Sequence, residues 1–173
     1  MCRPGCSQCC YGVFPIAQQD GARLREGLAL LEVEDSERAA RVKARVSESV
    51  ARLGPWFPGD LESGVLAEDH ESAILFEEFA NDEPCPVLDE ETGTCDLYAH
   101  RPVLCRTFGP PMRTPEGNLG TCELCFIHAT TEEIAAAELD PAIPEIEAAA
   151  NAAFDAAHGV RGETLVAFAL RGN

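Results

Sequence analysis

The sequence predicts a mainly α-helical fold, in which a small helical scaffold holds cysteine-rich loops at one end. Hydrophobic residues make up 46% of the 173 residues, which is enough for a packed core in a chain of single-domain length. Apolar residues recur at helical intervals in the first third of the chain and again after residue 130. Between these segments, residues 85–125 are dense in proline, glycine and cysteine and show little periodicity, which is typical of loops.

Two long helices are predicted after an N-terminal cysteine loop. The first begins at Pro15, and its apolar positions are Ile16, Leu24, Leu28 and Leu31. Asp35 or Ser36 caps the second helix, and Gly54-Pro55 ends it. The apolar face of the second helix is formed by Val42, Val46, Val50 and Leu53. Its basic residues are predicted to be mostly solvated: Arg38, Arg41, Lys43 and Arg45.

The middle of the chain predicts shorter elements. Residues 56–64 indicate a loop because they contain Pro58 and Gly59. Residues 70–81 indicate a short helix that leads into the second cysteine region. Within that region, short strands are predicted near residues 93–98 and 119–122.

The C-terminal part is predicted to be helical from about residue 130. Thr130-x-x-Glu133 is a capping box for a helix that runs to about Leu139. Residues 144–158 form an alanine-rich helical pattern closed by Gly159. Residues 163–170 fit a helix slightly better than a strand. We therefore expect residues 1–173 to form one cysteine-cluster domain with a helical C-terminal extension.

The nine cysteines form two groups that are separated by about 75 residues of mainly helical pattern. Thiolates are soft ligands that bind zinc, or iron with inorganic sulfide. Cys85, Cys95 and Cys105 alone make an incomplete ligand set, so we expect the two groups to meet in space as one composite metal site. The candidate metal ligands are Cys2, Cys6, Cys9, Cys10, Cys85, Cys95, Cys105, Cys122 and Cys125.

Other readings of the composition are less favoured. Disulfides are disfavoured because the cysteine count is odd and the chain is long enough to bury a core without them. The sequence begins Met1-Cys2 without a basic or apolar leader, so we expect a cytoplasmic location. The formal net charge of -17 argues against nucleic-acid or membrane partners, leaving metal ions and a protein as the expected partners.

The most specific stretch runs from Cys85 to Phe108. It reads Cys85-Pro-Val-Leu, then Gly93-x-Cys-x2-Tyr-x2-Arg-Pro-x2-Cys-Arg-x-Phe108. With the N-terminal cysteines, it resembles the YkgJ-like cysteine-cluster family, a zinc- or iron-chelating domain named for its CxxCxxCC motif. The resemblance covers residues 2–125 and implies a metal-chelating domain with eight family cysteines. A related domain occurs in flagellin lysine methylases, where an iron-sulfur cluster is implicated.

The sequence departs from that family pattern in two places. Its first spacing is C-x3-C rather than C-x2-C, and both Cys122 and Cys125 stand where one cysteine would suffice. Which of these two is spare stays open. Adjacent side chains diverge in extended or helical backbone, so Cys9 and Cys10 are expected to bind different metal atoms.

An iron-sulfur cluster of the [4Fe-4S] type is the preferred cofactor, with zinc as the alternative. Zinc sites are usually built from paired C-x2-4-C knuckles, whereas Cys85, Cys95 and Cys105 are isolated. Arg101 and Arg106 flank Cys105 and are candidate cofactor-binding residues that offset thiolate charge or donate hydrogen bonds to sulfur, although an ordinary ion pair explains them equally well.

Three function classes are left open by the sequence. The first is a protein that carries or senses its metal or transfers electrons. The second is a multinuclear zinc module that holds a surface for protein interaction. The third is a redox or methyl-transfer enzyme with an open iron site, and whether any reaction is catalysed stays undecided.

Overall fold

The computed structural model describes residues 5–113 and 117–172, and its fold is mainly α-helical, as predicted. The helices are α1 (Gln18–Glu34), α2 (Ser36–Leu53), α3 (His70–Glu77), α4 (Val103–Thr107), α5 (Thr131–Ala136), α6 (Ile143–His158) and α7 (Val166–Leu170). The strands are β1 (Ile16–Ala17), β2 (Gly59–Asp60), β3 (Val65–Leu66), β4 (Leu88–Asp89), β5 (Thr94–Cys95), β6 (Met112–Arg113), β7 (Leu119–Gly120) and β8 (Glu163–Thr164). Each strand has only two residues, so the helices carry the core.

The scaffold is a hairpin of α1 and α2 with α7 packed against both. The sequence periodicity correctly predicted its core, which is formed by Leu24, Leu28, Leu31, Val42 and Val46 together with residues of α7. Asp35 separates the two long helices and caps α2, because its carboxylate accepts a hydrogen bond from the Arg38 N–H at 3.0 Å.

A small antiparallel sheet ties the C-terminal segment to this hairpin. Its strand order is β1-β8-β3-β2, and Ile16 of β1 lies opposite Thr164 of β8. The ambiguous segment 163–170 contains both kinds of structure, since β8 is followed directly by α7. The predicted loop at 56–64 contains β2, which pairs with β3 directly after it. Strands of two residues are too short to show an alternating pattern in the sequence, so this pairing was not predicted.

The cysteine-rich region folds into short hairpins and one helix. The β4–β5 and β6–β7 hairpins place strands near the positions predicted for them. Helix α4, which carries Cys105, was not predicted because five residues are too few to show a helical period. Both carboxylate oxygens of Asp20 in α1 lie 3.2 Å from the Val103 N–H, so α1 holds the first turn of α4.

The C-terminal extension matches the capping signals in the sequence. Thr130 and Glu133 form the expected capping box, although α5 ends at Ala136 rather than near Leu139. Gly159 closes α6 in the left-handed conformation with φ 64°. Among the helices in the described part of the chain, none combines the length and apolar character needed to cross a membrane.

Candidate metal centre

Six cysteines from both sequence groups line one cavity of about 520 Å³. They are Cys6, Cys9, Cys10, Cys85, Cys95 and Cys105. The rest of the wall is largely apolar and aromatic, and it includes Phe14, Tyr98 and Phe108. The helical scaffold therefore brings together sulfur atoms that are up to 99 residues apart in the chain, from Cys6 to Cys105.

Backbone pairing joins the two cysteine groups. The Cys85 N–H donates to the Cys10 carbonyl at 2.7 Å, and the Gly12 N–H donates to the Glu83 carbonyl at 2.9 Å. The Gly5 N–H donates to the carbonyl of Gly93, in the turn between β4 and β5, at 3.2 Å. The N-terminal loop is thus held against residues 83–85 and against the β4–β5 turn, so cysteines of both groups line the same cavity.

The contact between Gly5 and Gly93 predicts a sensitive position. Gly93 has φ +63°, and a Cβ atom there would lie 2.9 Å from the Gly5 Cα. Gly93→Ala should lower the free energy of unfolding for two reasons: it strains the left-handed backbone, and its methyl group overpacks the contact with Gly5. We expect the overpacking to add about 1–3 kcal/mol to the cost of the strain. Gly159→Ala is the matched control, since Gly159 has φ +64° with open space around it. Equal losses in urea unfolding of the two variants would show that the Gly5 contact is unimportant.

A buried carboxylate clamps two of the cysteine segments to α2. Asp96 follows Cys95, and its carboxylate accepts a hydrogen bond from Arg38 Nε at 2.5 Å and another from Arg45 Nη2. Arg45 Nε also donates to the carbonyl of Pro86, which follows Cys85, at 2.9 Å. The prediction that Arg38 and Arg45 are mostly solvated is therefore wrong. This clamp could not be predicted from the sequence, because one aspartate among 30 acidic residues forms no recognisable pattern.

Cys9 and Cys10 lie in a 3₁₀ turn, and their thiols are hydrogen-bonded to each other. Both side chains line the cavity. The expectation that adjacent cysteines diverge is thus wrong for this turn, since it rested on extended or α-helical backbone. Both sulfurs face the same space, so their position does not require them to bind different metal atoms.

The thiols are held in a setting that favours the protonated form when no metal is bound. Burial raises the pKa of Cys85 and of Cys105 to about 12, and it also raises the pKa of Cys95. The hydrogen bond with Cys10, followed by burial, raises the pKa of Cys9. Metal binding must therefore displace protons from these sulfurs.

The same shifts predict how the stability of the metal-free protein depends on pH. A thiol whose ordinary pKa is near 9 and whose folded pKa is about 12 stabilises the fold below pH 9 and loses that contribution between pH 9 and 12. The reduced, metal-free protein should lose unfolding free energy across this window. In urea unfolding, the free energy of unfolding of Cys105→Ser should fall less steeply with pH, because this variant lacks one of the two thiols whose pKa is about 12. Identical slopes for the variant and the wild type would contradict the prediction.

Cys122 and Cys125 lie outside the cavity lining, although they are close to each other. Burial, followed by a hydrogen bond with the Cys122 thiol, raises the pKa of Cys125. The Cys125 N–H donates to the Cys122 carbonyl at 3.0 Å, and the Cys122 N–H donates to the Gly109 carbonyl at 3.3 Å. A Cβ atom at Gly109 would lie 3.0 Å from the Cys125 Sγ, which places Cys125 beside the residue that follows the cavity-lining Phe108. Cys2 lies outside the described residues.

The two arginines near Cys105 have different environments. Arg101 lines the cavity, and its guanidinium carbon lies 3.8 Å from the centre of the Tyr98 ring. Its buried Nε has no hydrogen-bond partner among the described residues. Arg106 instead donates to the backbone carbonyls of Ala99 at 2.6 Å and Arg101 at 3.1 Å. These contacts show that Arg106 holds the backbone of the turn before α4. This role differs from the two that were predicted, a contact with sulfur or an ion pair.

Across residues 5–113 and 117–172, no three or more His, Cys, Asp or Glu side chains are arranged to hold a metal ion. Six cysteines instead line a cavity of about 520 Å³. Donors of this kind suit a thiophilic metal group, because soft thiolates select zinc, copper(I) or iron with sulfide over hard cations. The fold and the site thus define a helical protein with a thiol-lined cavity.

The chain belongs to the CxxCxxCC family. The family model, described as "Putative zinc- or iron-chelating domain", matches residues 1–125 and confirms the resemblance seen in the sequence. That description supports the binding of zinc or iron. No curated protein and no solved structure matches the chain.

Proposed function

We propose that the protein binds an iron-sulfur cluster of the [4Fe-4S] type in the thiol-lined cavity and acts as a metal carrier, a sensor or an electron-transfer protein in the cytoplasm. The observation that carries this proposal is the shared cavity of six thiols. A cavity of about 520 Å³ gives more room than one tetrahedral zinc ion, whose sulfur ligands lie only about 2.3 Å from the metal. A cluster of several atoms would fill this space and bind more of the sulfurs than a single ion does.

The proposed ligands are drawn from the six cavity cysteines, with Cys122 and Cys125 as further candidates. Cys6, Cys9 and Cys10 come from the first cysteine group of the sequence, and Cys85, Cys95 and Cys105 come from the second. A reducing compartment keeps such thiols available, which is why the cytoplasm suits the site.

A structural zinc module is the second candidate, and one feature favours it. Cys122-x2-Cys125 has the spacing of a zinc knuckle, and its two thiols are in contact. In this case the metal would hold the fold and leave the surface for a protein partner.

Anaerobic purification distinguishes the two candidates. An iron-sulfur protein is expected to be brown, to absorb near 400 nm and to contain iron and acid-labile sulfide in equal amounts. A colourless protein with stoichiometric zinc would favour the zinc module. A protein that holds neither metal, even after reconstitution with iron and sulfide or with zinc, would refute both candidates.

A further inference from the structure

We propose that Arg101 is the residue that neutralises and orients the thiolate-bound group in the cavity, with its guanidinium N–H groups directed at sulfur. This inference deepens the proposed function and rests on metal binding at the same site. It makes Arg101 a positioning residue for the group and separates it from its neighbour Arg106.

The first observation is the composition of the cavity wall. Among the described residues that line it, Arg101 is the one with a charged side chain. Bound thiolates are anionic, and a cation in a mostly apolar wall interacts with them more strongly than one in water does. The cavity therefore contains its own counter-charge for several sulfurs.

The second observation is the way in which Arg101 is held. Stacking on the Tyr98 ring uses the flat face of the guanidinium group and leaves its N–H donors available in the plane. The buried Nε–H finds no acceptor among the described residues, and an unsatisfied buried donor costs about 1–3 kcal/mol. A thiolate or a sulfide in the cavity would provide the missing acceptor, and hydrogen bonds to sulfur are known to tune such groups.

The third observation is that Arg101 shares the cavity with cysteines of both sequence groups. Cys9 from the first group and Cys95 and Cys105 from the second line the cavity together with Arg101. One cation is therefore available to the thiolates of both groups. Arg106 is fixed on the carbonyls of Ala99 and Arg101 and thereby stabilises the turn from which Arg101 projects.

The test compares Arg101→Gln and Arg101→Lys with Arg161→Gln, which removes the same charge from an exposed position outside the cavity lining. Metal affinity is measured by competition with a chelator at fixed pH, using the metal that the wild-type protein binds. We expect Arg101→Gln to weaken binding about 10–100-fold, in line with other residues that support metal ligands. Arg101→Lys keeps the positive charge but lacks the planar set of N–H donors. Its metal affinity should therefore fall less than that of Arg101→Gln. Arg161→Gln should match the wild type.

Unfolding of the metal-free variants separates positioning from a general loss of structure. We expect Arg101→Gln and the wild type to unfold at similar urea concentrations without metal and to differ only when metal is bound. If Arg101→Gln does not fold, Arg101→Lys provides the test, and wild-type affinity in it would overturn the sulfur-donor role. Wild-type affinity in a folded Arg101→Gln would overturn this inference while metal binding itself stands. A wild-type protein that binds no metal would instead overturn the proposed function, and this inference with it.

Discussion

Cys105→Ser and Cys10→Ser should each lose most of the bound metal and become less stable at the same time. The two residues come from different cysteine groups, yet both line the same cavity. In domains of this kind the free energy of metal binding is also free energy of folding. We expect metal affinity to fall by at least about 100-fold, which corresponds to about 2.7 kcal/mol. Metal analysis and chelator-controlled unfolding measure the two effects.

The metal-free proteins provide the control for this prediction. Serine is close to cysteine in size, so the metal-free variants should differ from the metal-free wild type by much less than the metal-bound proteins do. Full metal retention in both variants would show that the cysteine groups do not form a composite site. Loss in only one of them would assign the metal to a single group.

Asp96→Asn should destabilise the fold by about 2–4 kcal/mol and reduce metal affinity as well. The Asp96 side chain is only 2% exposed and pairs with two arginines, so its removal leaves their charges without a partner. Removing one partner of a fully buried ion pair costs about 3–5 kcal/mol. We expect a somewhat smaller loss because Arg38 and Arg45 are 37% and 25% exposed and water screens part of their charge.

The effect on metal follows from what the clamp holds. Arg38 and Arg45 fix the segments next to Cys95 and Cys85, so freeing them should displace both sulfurs and weaken metal binding about 10-fold. Glu32→Gln is the control, since the Lys43–Glu32 pair is exposed and should contribute less than about 1 kcal/mol. A change below about 1 kcal/mol in Asp96→Asn, by urea unfolding without metal, would contradict the proposed clamp.

The helical scaffold was predictable because its signals are local. The core positions of α1 and α2 recur every three or four residues, and the caps at Asp35, Thr130 and Gly159 depend only on neighbours in the chain. The strands and α4 were harder to predict, since elements of two to five residues contain too little periodicity and depend on partners elsewhere in the chain. Asp20 holding the first turn of α4 is one such partner, 83 residues away.

The sequence by itself determined the available donor chemistry: nine cysteine sulfurs, few histidines and a motif of the CxxCxxCC family. Only the tertiary structure decided which of those sulfurs share a cavity, because that depends on backbone pairing between residues 10 and 85 and between residues 5 and 93. The tertiary structure also showed that Arg101 lines the cavity whereas Arg106 binds backbone carbonyls, although both arginines had the same predicted roles. The physical reason is that residue type fixes what a side chain can bind, whereas burial, register and long-range ion pairs fix where it points and what remains free to bind.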